Sequence, residues 1–147
     1  MSLTQFAGRF WTLSVWSLQS LLYMPPLLLI LIGACLSLAL AFWRQRPFQN
    51  PLWKSSHWLV LTQLLFFPAA ISIGVLFPAS SPSFFHANSR ASIAYGLLGW
   101  LSLALAAFWV YRMKGFRWFA FSVVAVLQII LMGAFFVAGM AVSGDWL

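Results

Sequence analysis

Acidic residues are all but missing: Asp145 is the single carboxylate side chain in 147 residues. That scarcity removes the paired carboxylates of general acid/base catalysis and the oxygen-rich sites of hard cations. It also removes the intramembrane acids through which proton- and cation-coupled transporters usually work. Cysteine is equally scarce. Cys35 alone allows no intramolecular disulfide. It has no neighbouring base or second thiol to activate it, so packing is its expected role.

The two histidines are His57, beside Trp58, and His86, between Phe85 and Ala87. They read as an interfacial and a loop residue, nearly a membrane thickness apart, and cannot jointly hold zinc or haem in a monomer. No catalytic constellation, metal site or resident cofactor is expected, and the chain is not expected to be an enzyme. A cleavable signal is not expected either, because the N-terminal stretch is polar, nearly uncharged and without a small-residue cleavage site.

Charged residues of both signs make up only 6% of the chain, against 63% apolar residues and a mean hydropathy of +0.95. Soluble domains carry about 25% charged residues, so most of this surface must face lipid or apolar helices. The net charge of +7 would suggest nucleic acid if it formed a patch on a folded surface. The basic residues lie instead in short connections between apolar runs, which fits membrane loops and an anionic lipid surface, not nucleic acid.

A bilayer core of about 30 Å needs roughly 20 apolar residues in a helix. Four runs meet that length: Pro25–Trp43, Trp58–Phe77, Ser92–Tyr111 and Trp118–Val142. Pro47 and Pro51, Pro78 and Pro82, and Gly115 punctuate the gaps. Arg44, Arg46 and Lys54 fall in the first gap and Arg112, Lys114 and Arg117 in the third, with only Arg9 and Arg90 on the other side. This asymmetry predicts basic loops in the cytoplasm and both termini outside, in the inner membrane if the source is bacterial. Trp43, Trp53, Trp58, Trp109 and Trp118 lie beside the basic loops, where indoles favour the headgroup level.

Residues 1–24 are predicted to form an interfacial helix on the outer membrane surface, with Gln5, Arg9, Thr12, Gln19 and Ser20 on one narrow face. A bent extension of the first span across Pro25 and Pro26 is the alternative. The remaining residues, 25–147, form the four-span domain.

Leu36–Ala41 reads LSLALA, and so does Leu101–Ala106, 65 residues later. At that offset Trp53 matches Trp118, Gln63 matches Gln128, Ala69 matches Ala134 and Gly74 matches Gly139, for ten identities over 44 ungapped positions. The pattern predicts an all-α, membrane-embedded four-helix bundle of two parallel hairpin repeats, 25–79 and 91–144, related by an axis near the membrane normal. The competing explanation is coincidence between Leu/Ala-rich helices.

Small residues allow helices to approach in lipid. Gly33, Ser37 and Ala41 on the first span, and Ser92, Gly96, Gly99, Ser102 and Ala106 on the third, are the expected packing stripes. Gln63 and Gln128 are the candidate buried polar groups, because an amide near the bilayer midplane needs a partner. One interhelical hydrogen bond would satisfy that need, and contact with a ligand is the functional alternative. The loop around Phe84 and Phe85 is a candidate to dip into the interface or to meet a partner.

The functional reading is a non-catalytic membrane subunit or scaffold that packs against other membrane proteins. The alternative is a small transporter or channel for a neutral or anionic solute, formed by the chain alone or as a homo-oligomer, with Gln63 and Gln128 facing its path. The aromatic content, 18% with nine Trp and fifteen Phe, admits contact with a quinone or pigment held by a partner. A redox enzyme ranks last.

Overall fold

A computed structural model describes residues 1–50, 54–77 and 89–143. All regular structure among them is helical. We label the α-helices α1 (Leu3–Tyr23), α2 (Pro25–Gln45), α3 (Phe66–Leu76), α4 (Ser89–Arg112) and α5 (Arg117–Ser143). A 3-10 segment, Ser55–Leu65, runs directly into α3. Four stretches are long and apolar enough to cross a membrane: Pro25–Gln45, His57–Leu76, Arg90–Arg112 and Arg117–Val142. Each lies within two residues of its predicted span. Large apolar side chains such as Leu29, Ile30, Leu97, Trp100 and Phe121 point outward. A soluble monomer rarely exposes so much apolar surface, so the fold defines a multi-pass helical membrane protein.

The helix ends follow ordinary backbone chemistry. Ser2 caps α1 through its hydroxyl, which accepts the Gln5 N–H, while the Gln5 amide oxygen accepts the Ser2 N–H. Pro25 and Pro26 open α2, where a missing N–H costs nothing. Gly115, at φ +90°, makes the tight turn from α4 to α5.

The second span changes helix type midway. Pro68 sits in the first turn of α3, where its absent N–H is tolerated, and its ring crowds the carbonyl four residues back, at Leu64, which disfavours α-helix upstream. There, eleven residues adopt the 3-10 form, well beyond its usual three or four. In that geometry residues three apart eclipse. Val60, Gln63 and Phe66 therefore form one buried line, at 2, 3 and 9% exposure, with half-buried His57 at its foot.

α5 is the central helix, and α1, α2, α3 and α4 all pack on it. Two apolar cores stack along it. One, at the end carrying the basic loops, unites Ala41, Val60, Trp109, Met113, Phe116 and Ala120; the other unites Leu13, Phe66, Ile71, Val75, Leu131 and Ala134.

Two expectations meet a different arrangement. α1 does not lie across the end of the bundle: it crosses α5 at Gly133, ten residues before Ser143, or about 15 Å down the helix. Leu13, Ser17, Ser20 and Leu21 are buried there. The helical wheel treats Thr12 and Ser20 as groups that need water. In the fold Thr12 donates to the Gly8 carbonyl, Ser17 to Leu13 and Ser20 to Ser17, so their hydroxyls are satisfied within α1. Of the predicted polar face only Ser20 is buried; Gln5, Arg9, Thr12 and Gln19 stay exposed, and the stripe that packs inward is Leu13, Ser17, Ser20 and Leu21.

The contacts also depart from a twofold relation between hairpins. α4 packs on α5, its own hairpin partner, but α2 packs on α5 and makes no comparable contact with the described residues of the second span. Gln63 lies in a 3-10 segment while Gln128 lies in α-helix. The matched serines are used differently as well. Ser37 bonds to Ser122, whereas Ser102 bonds to the two glutamines.

Candidate functional site

The most distinctive polar feature lies between the two apolar cores. Gln63 separates Val60 from Phe66, Ser102 separates Leu98 from Ala106, and Gln128 separates Val124 from Leu131, so three spans cross from one core to the other at a polar residue. Gln63 Nε2 donates to the Ser102 carbonyl at 3.1 Å. Gln128 Nε2 donates to Gln63 Oε1 at 3.3 Å and reaches the Ser102 carbonyl at the same distance. The Ser102 hydroxyl lies 2.9 Å from the Gly99 carbonyl and 3.5 Å from Gln128 Oε1. Gln128 is eleven residues past Arg117, about 16 Å along α5 and so near the middle of a bilayer core. The layer is chemically neutral. Its amides are occupied by one another and by a backbone carbonyl, so it can fix helix register, as an isolated buried polar layer does in helical bundles.

A second polar set ties α2 to α5 near the basic loops. Ser37 and Ser122 share a hydroxyl bond of 2.8 Å, and Trp118 Nε1 donates to Ser37 Oγ at 3.0 Å. Gln45 Oε1 accepts the Phe119 N–H, satisfying one of the free donors at the start of α5, and its amide nitrogen reaches the Gly115 carbonyl. These bonds bring the two basic loops to one end. Arg44 stacks over Trp118 at 5.9 Å and Arg112 over Phe108 at 5.8 Å.

The predicted packing stripes divide in two. Ser37, Ala41, Ser102 and Ala106 face neighbouring helices within the chain. Gly33, Gly96 and Gly99 do not, since a Cβ at any of them would meet nothing within 4 Å, and Ser92 is on the exposed side of α4. The tight crossings lie elsewhere. A Cβ at Gly133 would come 2.7 Å from the Ser17 carbonyl oxygen, and one at Gly74 2.9 Å from Ala138 Cβ. Sequence reasoning missed Gly133 and Ala138. The available signal was Ala134 and Ala138, four apart on the last span and both fully buried.

Other candidate residues take structural positions. His57 Nδ1 accepts the Lys54 N–H at 3.0 Å, and its ring lies 5.7 Å from that of Phe116. Cys35 is exposed on α2 rather than packed. Trp43 and Trp58 are exposed as a headgroup belt requires, but Trp109 is buried at 6% exposure, with no hydrogen-bond partner for Nε1 among the described residues. Trp53, Phe84, Phe85 and His86 lie outside the described residues. No cluster of three His, Cys, Asp or Glu occurs among the described residues. No family model, curated protein or solved structure matches the chain.

Proposed function

We propose that the chain is a non-catalytic integral membrane subunit or scaffold whose α2 and α4 faces pack against other membrane proteins in a larger complex. The observation that carries this reading is the outward position of Gly33, Gly96 and Gly99, with open space where each Cβ would be. Close helix approach in lipid uses such notches, and this chain leaves them unfilled. α2 adds support, since Ala41 is its only buried residue. Outward Trp100 and Trp43 offer flat apolar contact to a partner or to a quinone or pigment that it holds. With six of eight basic side chains at one end, the basic loops face the cytoplasm and both termini lie outside.

A transport path for a neutral or anionic solute, in a monomer or homo-oligomer, has less support because the amides of Gln63 and Gln128 already bond within the bundle. Purification from native membranes in mild detergent, with mass spectrometry, separates the two. Stoichiometric foreign membrane proteins, lost on Gly96→Leu while the chain still accumulates, are expected. A homo-oligomer without partners that conducts solute in vesicles would overturn the subunit reading.

A further inference from the structure

We infer that the groove between α4 and α5 at the basic end is a discrete site for one anionic glycerophospholipid. The groove is shallow and open on its outer side, with a volume of about 590 Å³. Ala106 and Ala107 open one wall, Phe121 and Val124 form the other, and Tyr111 and Arg117 stand at its mouth. Its shape follows from side-chain size: two successive alanines on α4 leave the space that larger residues would fill. Val124 is seven residues past Arg117, so the apolar trough runs about 10 Å into the membrane from the guanidinium. An acyl chain fits the trough, and a phosphate fits the mouth.

Charge complementarity selects the headgroup. Arg117 opens α5, where the helix dipole disfavours a cation. Arg112 and Lys114 precede it by five and three residues, and the described residues include no Asp or Glu to neutralise any of them. A lipid phosphate at the mouth supplies the missing negative charge, with the Arg117 guanidinium as a two-pronged donor and the Tyr111 hydroxyl as a second. A zwitterionic headgroup brings its own cation into the same basic field and is the poorer occupant. The site lies three turns nearer the basic end than Gly96, on nearly the same face of α4, and its test does not depend on a partner docked there.

Native mass spectrometry of the full chain, titrated with phosphatidylglycerol or phosphatidylcholine, tests the site. One phosphatidylglycerol per protomer should be retained in preference to phosphatidylcholine, and excess inorganic phosphate should not displace it. Arg117→Gln should weaken retention about fivefold, the weight of one basic residue at an anionic surface, while Arg117→Lys keeps most of it. Ala107→Trp, placed on an exposed position, fills the trough and should abolish the adduct. Arg46→Gln, which removes a cation from the other basic loop, should leave retention near the wild-type value. Equal losses from Arg46→Gln and Arg117→Gln would reveal a diffuse field without a site. An intact adduct in Ala107→Trp, displacement by phosphate, or equal retention of both lipids would each overturn the proposal.

Discussion

Replacing Gly133 with valine should weaken the bundle by about 1–3 kcal/mol, the usual cost of forcing extra methyl groups into a well-packed contact. The added Cβ would stand 2.7 Å from the Ser17 carbonyl oxygen and 3.1 Å from Leu21 Cδ2. Leu21 can rotate away, but a backbone oxygen cannot. α1 must therefore shift from α5, loosening the contacts of buried Leu13, Ser17 and Ser20. Gly139→Val is the matched control, because it lies on the same helix and a Cβ there meets nothing within 4 Å. Helix propensity changes equally in both variants and cancels. Unfolding by increasing SDS in mixed micelles, followed by tryptophan fluorescence, reads the difference. Gly139→Val should stay within about 0.5 kcal/mol of wild type, as substitutions away from tight contacts usually do. Equal effects of the two variants would refute the crossing of α1 over α5.

Gln128→Leu removes the donor to Gln63 Oε1 and leaves a buried acceptor unpaired, so its cost should be about 1–3 kcal/mol rather than the roughly 0.6 kcal/mol of an average interhelical bond. The double variant Gln63→Leu/Gln128→Leu should cost clearly less than the sum of the single variants in the same assay, and strict additivity would mean that the amides do not act as one layer. Trp109→Phe deletes a buried N–H without a described partner but leaves a void in the core, so its cost in that assay should stay below the about 3–5 kcal/mol of a full tryptophan truncation; a larger loss would show that the indole nitrogen is paired. For topology, Ser55→Cys in a Cys35→Ala background should resist impermeant thiol reagents added to intact cells, and labelling from outside would reverse the orientation.

The four spans were legible in the sequence because length and hydropathy are local properties, summed along one helix against a bilayer of known thickness. Inward burial of Gln63 was legible for a similar reason: an amide in a span has nowhere favourable to go but another polar group. Partner choice was not. Ser102 joins Gln63 and Gln128, while Ser37, its match in the repeated LSLALA, joins Ser122 and Trp118. Identical local sequence therefore meets different partners, because α2 and α4 are set at different places around α5.

The same holds for the burial of α1 and for the glycines. The helical wheel of α1 could count its hydroxyls but could not show that Ser17 and Ser20 would bond back to their own helix and be buried, while Gln5, Arg9, Thr12 and Gln19 stay exposed. The small-residue stripes could mark where close approach was possible. Whether a neighbour arrived was set by the packing around α5, which brings Ser17 to Gly133 and Ala138 to Gly74 and leaves Gly33, Gly96 and Gly99 open. Hydropathy and helix length act within a segment, so the chain's own order of residues is enough to say how many helices can cross a membrane. Which faces meet is a competition among several apolar surfaces of nearly equal affinity for lipid, and it is resolved only when all the helices are packed together.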